Sequence, residues 1–312
     1  MKIFFRLTHP ALLALSAAAM LAGPALAVDS YVVQRMPSGT IDWANRWVEA
    51  TGSGVPRETG NPAQARLLAQ RAAVADAYRQ LAETVHGVRI DAETTVLNYV
   101  TQSDVIRTRV QALIKGARQV GEARQGADGV TQVTMRLPLY GADQLSGAIE
   151  LDQQVRRQQS ALPGTSLARL LHESAARLPE PFFPMRLAAA GFAPIQLAAG
   201  PAYTGLVLDM CTMPIQPVMS PAVFGNEQQV YIANYPIDPD QVIAEGVLQY
   251  YGDYDEATTS PRVGAHPLII EALGTNDRQT DILVSPEDAE RIRQADQAGQ
   301  FLKKLKVVVS SM

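Results

Sequence analysis

Hydrophobic and polar positions along the chain repeat with two different periods, and each change of period marks out an element. Between Asn61 and Gly87, Leu67, Val74, Tyr78, Leu81 and Val85 follow one another at spacings of seven, four, three and four, which predicts a helix with one apolar stripe. Alanines at 65, 69, 72, 73, 75, 77 and 82 widen that face and permit close packing against a sheet. Asn61 can cap the helix, Pro62 fits its first turn, and His86-Gly87 closes it. A second helix is predicted from a Ser103 cap to Lys115, ended by Gly116, with Ile106, Val110, Leu113 and Ile114 on its buried side. The period then falls to two. From Val130 to Leu139, Val133, Met135 and Leu137 point inward while Gln132, Thr134 and Arg136 point outward. A turn at Gly126 to Gly129 joins this strand to one starting near Gln119, and Ile41 to Gly54, with both tryptophans, reads as another. Two helices packed on an antiparallel sheet of three or four strands is the economical arrangement.

The carboxy-terminal part reads differently, with short strands alternating with short capped helices. Strands are expected at Tyr203 to Met210, Pro217 to Phe224, Gln229 to Ala233, Val247 to Tyr251, Leu268 to Leu273, Ile282 to Ser285 and Leu305 to Ser310. Asp238-Pro239-Asp240-Gln241 and Ser285-Pro286-Glu287-Asp288 each open a helix with a cap, a proline and an acidic first turn. The predicted class is therefore α+β in two domains, the second a mixed sheet with short capped helices. The polar run Asp152 to Gln159 and the breaker Leu162-Pro163-Gly164 place a connecting segment at 152–186, between domains at 28–151 and 187–312.

Residues 1–27 stand apart. Lys2 and Arg6, the apolar run Ala11 to Ala22 and the small residues Ala25-Leu26-Ala27 have the layout of an export signal cut after Ala27. A membrane span needs about 20 apolar residues, and Gly23-Pro24 interrupts this one. Val28 rather than cysteine follows the cut, so no lipid anchor is expected there. A periplasmic location follows, with no transmembrane segment after cleavage. Loss of Lys2 and Arg6 takes the 27 basic residues to 25 against 31 acidic ones, a charge of −6. That balance, with scattered arginines, argues against nucleic acid as a partner. The single cysteine, Cys211, excludes an internal disulfide and a multi-cysteine metal site.

Candidate chemistry is sparse. His86 sits in a helix's last turn, where a cation suits the dipole. His172 adjoins Glu173 on a helix, where neighbours point apart, and His266 precedes Pro267 in a loop. There is no H-E-x-x-H, G-x-S-x-G or Gly-Lys-Ser/Thr phosphate loop. No catalytic residue, cofactor or metal is expected, and the chain does not read as an enzyme. Gly252-Asp253-Tyr254-Asp255-Glu256 lacks the glycine and distal glutamate of a calcium loop and reads as a solvated loop. Tyr231, Tyr235, Tyr250, Tyr251 and Tyr254 cluster in sequence and are candidates for a glycan or peptide platform, or ordinary strand residues. Phe182 and Phe183, between prolines, are either a packing plug or a partner-binding patch.

One longer pattern covers about 41 to 140. It takes in Trp43, Gly52-Ser53-Gly54, Asn61-Pro62-Ala63-Gln64-Ala65-Arg66, Ala69-Gln70-Arg71-Ala72-Ala73, Asp76 to Glu83, Gly87-Val88, Ser103-Asp104, Gly116-Ala117 and the strand around Val133. In this order it resembles the LPP-type envelope lipoprotein family and the related amino-terminal domain of flagellar assembly protein T, here without the lipidation cysteine. The resemblance implies a non-enzymatic envelope module that assists assembly, with envelope proteins or a second copy of itself as partners. It transfers no functional residues.

Overall fold

The computed structural model describes residues 32–160, 202–210, 213–225, 228–232 and 235–310. The export segment, His172, Phe182, Phe183 and Cys211 lie outside them. The described chain is α+β, with eight helices and three sheets.

The amino-terminal half is built on a five-stranded antiparallel sheet of order β1-β2-β3-β5-β4: β1 (Val33–Met36), β2 (Gly39–Asp42), β3 (Trp47–Gly54), β4 (Arg118–Gln125) and β5 (Thr131–Pro138). Two departures from the predicted pattern appear. A polar hairpin, β1–β2, adds to the sheet, and the single strand expected over Ile41 to Gly54 is broken at 43–46. The break has a local cause: the Asp42 carboxylate accepts from the Asn45 backbone N–H at 2.8 Å, and Arg46 adopts a left-handed φ of 66°. Inward residues of β5, namely Val133, Met135 and Leu137, are buried as the alternation requires.

Helix α1 (Pro62–His86) covers this sheet, capped by the Asn61 side chain on Ala63 N–H at 2.9 Å. It packs on the sheet through the predicted alanines and the last part of the predicted stripe, but not through the stripe's start. The fully buried positions are Ala69, Ala73, Ala77, Leu81 and Val85 together with Thr84, whereas Leu67 is exposed and Val74 and Tyr78 are only partly covered. The reason lies on β3. A Cβ at Gly52 would stand 2.0 Å from Ala77 N, and one at Gly54 would stand 2.0 Å from Ala69 O. Glycines on the strand and alanines on the helix bring the two backbones too close for leucine. Helices α2 (Val96–Gln102) and α3 (Asp104–Lys115) follow, α3 capped by Ser103. The polar run assigned to a linker instead begins as helix α5 (Leu151–Ser160), after the short α4 (Leu145–Ala148), and buries Leu151, Gln154 and Val155.

In the carboxy-terminal half each predicted strand has a shorter counterpart, although the one expected over Pro217 to Phe224 overlaps its counterpart only at Val223 and Phe224. Four make a fully parallel sheet, β10-β6-β13-β9, from β6 (Gly205–Asp209), β9 (Gln249–Tyr251), β10 (Pro267–Glu271) and β13 (Val307–Ser310). A second, mixed sheet runs β11-β12-β7-β8: β7 (Val223–Gly225), β8 (Gln228–Tyr231), β11 (Gly274–Thr275) and β12 (Ile282–Val284). Helices α6 (Pro239–Glu245) and α8 (Pro286–Gly299) start at the predicted caps, Asp238 and Ser285. The acidic stretch read as a solvated loop is a third helix, α7 (Tyr254–Thr258), whose cap Asp253 accepts from Glu256 N–H at 2.9 Å. Both central strands are apolar on each face. Leu206 and Leu208 join the main core, while Val207 and Val308 pack with Ala257 and Val263 on the other side.

Candidate functional site

Buried ionisable groups concentrate where the halves meet, and the sequence gives them their setting. Helix α6 ends at Gly246, whose φ of 70° suits glycine and whose missing Cβ would lie 2.5 Å from the Tyr140 ring. The last carbonyls of any helix lack partners inside it. Here they are met from both halves. Gly141 N–H and the Ser146 hydroxyl donate to Ile243 O at 2.9 and 2.6 Å, and Arg46 donates to Ala244 O at 3.1 Å. Arg262 donates to Glu245 O at 2.9 Å, to Gly246 O at 2.7 Å and, through Nε, to Leu305 O at 2.7 Å. Arg46 also lies 4.6 Å from the centroid of the Tyr140 ring. Burial pushes the Tyr140 hydroxyl up to about 12 and lowers the pKa of Arg262. Two cations at the negative end of a helix dipole are electrostatically matched. Each nitrogen of Arg262 donates to a carbonyl and Arg46 reaches across from the other half, so this cluster is a clamp.

The apolar part of the joint explains two of the tyrosines. Tyr250 is buried, packs edge-on against Trp43 with centroids 6.0 Å apart, and exchanges hydrogen bonds with Val218 N–H and O, both 3.1 Å. Tyr231 is also buried, donates to Val247 O at 2.5 Å, and has its pKa raised by burial. Tyr235 is partly buried against the core, its backbone carbonyl accepting from Gln159 at 2.8 Å. Tyr251 pairs with the Ser260 hydroxyl at 2.8 Å, and Tyr254 is the first residue of α7. The five rings therefore do not share a surface: neither Tyr231 nor Tyr250 can reach a ligand. Nearness in sequence carried no information about which way each side chain faces.

A second contact between the halves runs through loops. Met219 N–H and Ser220 N–H donate to Arg89 O and Ile90 O at 3.1 and 2.7 Å, and Arg278 donates to Ala92 O at 2.7 Å. Behind it sits Asp281, buried, accepting from Ala222 N–H at 3.1 Å and from the Asn276 amide at 2.8 Å. Burial pushes its carboxyl up to about 6, helped by the Asp91 charge. Sequence reading passed over Asp281, since a lone aspartate in a polar loop gives no hint of burial. His86 is half-buried at the end of α1, and burial lowers its pKa, which works against the helix-capping cation expected there. Among the described residues no group of three or more His, Cys, Asp or Glu is placed to hold a metal, and no helix is long and apolar enough to cross a membrane.

Two outward features remain. The first is a cleft of about 360 Å³ between the end of α3 and the ends of β4 and β5, lined by Leu113, Arg118, Arg136, Pro138 and Asp143 among others. Arg118 and Arg136 are direct register partners, and Arg136 is paired with Glu49 at 2.5 Å. The second is the start of α1. Its first turns precede the contact between Ala69 and Gly54 and lie beyond the end of β3. There Leu67 is 59% and Leu68 37% exposed, beside Val55 at 69%. Arg57, Arg66 and Arg71 lie near them in sequence, as does Glu58, and these arginines form no ion pair among the described residues, whereas Arg79, Arg107, Arg109, Arg291 and Arg293 are all matched by carboxylates. No acidic residue occurs from 61 to 75.

A family model described as the second domain of Treponema pallidum Tp0624 matches residues 205–311, from β6 through β13. The match covers less than half of the chain. No curated protein matches it.

Proposed function

We propose that this chain is a non-enzymatic structural or assembly protein of the bacterial envelope, exported to the periplasm and working through contacts with other envelope proteins or with itself. The observation that carries this reading is the start of α1, where Leu67 and Leu68 are left at the surface near Arg66 and Arg71, which form no ion pair among the described residues, while the alanines and Leu81 are spent on the fold. Exposed apolar side chains clustered with charge characterise interaction surfaces. The resemblance of residues 41–140 to the LPP-type and flagellar assembly T modules supports the same reading, including a flagellar or outer-membrane setting. Crosslinking in intact cells followed by purification of the tagged chain tests it. Recovery of a stable envelope complex is the expected result, and recovery of the chain alone and monomeric counts against the reading.

A second reading, a glycan- or peptide-binding module, is favoured by the cleft beside Arg118 rather than by the tyrosines. Titration with envelope glycans and peptides checks it. Shifts at Arg118, Arg136 and Asp143 that vanish in Arg118→Ala support it, and no binding removes it.

A further inference from the structure

We propose that the cleft between the end of α3 and the ends of β4 and β5 holds a short peptide by its two free ends, the carboxylate on Arg118 and the ammonium on Asp143. This rests on the second, ligand-binding reading above and narrows its ligand from glycan or peptide to a zwitterionic peptide of a few residues. At about 360 Å³ the cleft is small, near the lower end of the roughly 300–1,000 Å³ of ligand pockets. Its charges are the informative feature. Arg118 and Asp143 both line it, yet they do not pair with each other, and neither side chain has an ion pair or hydrogen bond among the described residues. Opposite charges that line one cleft without neutralising each other leave it a positive end and a negative end, which a ligand of matching polarity satisfies.

The rest of the lining suits a peptide better than a sugar. Gln144 is half-buried, and its side-chain amide makes no hydrogen bond among the described residues, so it offers both a donor and an acceptor to a peptide group. Leu137, half-buried Leu113 and Pro138 supply an apolar wall for a side chain. Arg136 also lines the cleft, but its Nε donates to Glu49 and its guanidinium lies over the Trp47 ring. It therefore braces the wall beside its register partner Arg118 and leaves recognition to that residue. A sugar ring is gripped by laying its C–H face on an aromatic face. The lining contains no aromatic residue, and the ring of Trp47, the register partner of Pro138, is covered by Arg136.

Calorimetric titration of the full chain with the dipeptide alanyl-leucine, its carboxy-terminal amide and its amino-terminal acetyl derivative tests this. The free dipeptide is expected to bind, and each blocked form to bind about tenfold more weakly, the loss of one hydrogen bond to a charged group. Arg118→Ala is expected to erase the penalty of amidation while keeping that of acetylation, and Asp143→Asn the reverse. Both side chains are exposed, so neither substitution is expected to move the melting temperature. Blocked forms that bind as well as the free dipeptide, or penalties that survive in both variants, overturn the proposal and leave the peptide-binding reading standing. Binding of the N-acetylglucosamine disaccharide in place of the dipeptide overturns it as well, again leaving a ligand-binding module. No binding by any of these four compounds removes both the proposal and the reading beneath it.

Discussion

The clamp at the end of α6 and the open start of α1 are both rich in arginine, yet they are opposites. At the clamp, Arg46 and Arg262 donate to backbone carbonyls, and the Tyr140 ring lies against Arg46. At the start of α1, Arg57, Arg66 and Arg71 lack carboxylate partners among the described residues and adjoin exposed leucines. The difference separates what holds the molecule together from what it presents. Residue type alone does not draw that line; what each arginine touches does.

Variants can break this comparison at graded points. The largest effect is expected from Gly52→Val. The new side chain cannot fit where a Cβ already stands 2.0 Å from the α1 backbone, so α1 must lift from the sheet. Overpacking of a close contact typically costs about 1–3 kcal/mol and more where backbone must move. Loss of most cooperative unfolding in a thermal melt is the expected outcome. Arg262→Met comes next. It leaves Gly246 O and Leu305 O, both on buried residues, without their donor, along with the more exposed Glu245 O, and unsatisfied buried acceptors cost about 1–3 kcal/mol apiece. A fall in stability on the order of 3 kcal/mol by urea denaturation is expected, with Arg46→Ala, which frees only Ala244 O, costing less.

Asp281→Asn sharpens the comparison through pH. The folded carboxyl titrates near 6, above its ordinary value of 3.8, so folding favours the protonated form. Its contribution is full below pH 3.8 and is lost as pH rises through about 6. A two-unit shift corresponds to roughly 3 kcal/mol between those limits. Subtracting the variant's pH–stability curve from that of the wild type is expected to show a difference that changes between pH 4 and 6 and is flat above 7. A difference that is flat throughout contradicts a titrating Asp281.

The parts of this fold legible in the sequence are those fixed locally. Asn61, Ser103, Asp238 and Ser285 cap the helices they were expected to cap, because a capping side chain needs only its next three residues. The alternation of 131–138 survives intact for the same reason. The Asp253 cap carried the same signal and was passed over because its acidic neighbours suggested solvent. What was not legible depends on distant partners. Leucine outranks alanine in hydrophobicity, so Leu67 looked buried along with Leu81 and Val85 until Gly52 and Gly54 set the distance to the sheet at the alanines. The parallel order of β10-β6-β13-β9 joins strands far apart in the chain, and with it went the facing of Tyr250; Tyr231 sits on β8 of the mixed sheet, where β12 and β7 are likewise far apart in the chain. The exposed start of α1 was hidden for the same reason.

The smallest effect on stability and the largest on function are expected together at that surface. Leu67→Asp with Leu68→Asp replaces exposed side chains and should change unfolding free energy by no more than about 0.5 kcal/mol. The measurement that tests the account most directly is the in-cell crosslinking purification run in parallel on this double variant and the wild type, with melting curves for both. Loss of the co-purifying envelope complex at an unchanged melting temperature is the predicted result. Recovery of the same complex from the double variant would contradict the claim that the start of α1 is where this protein meets its partners.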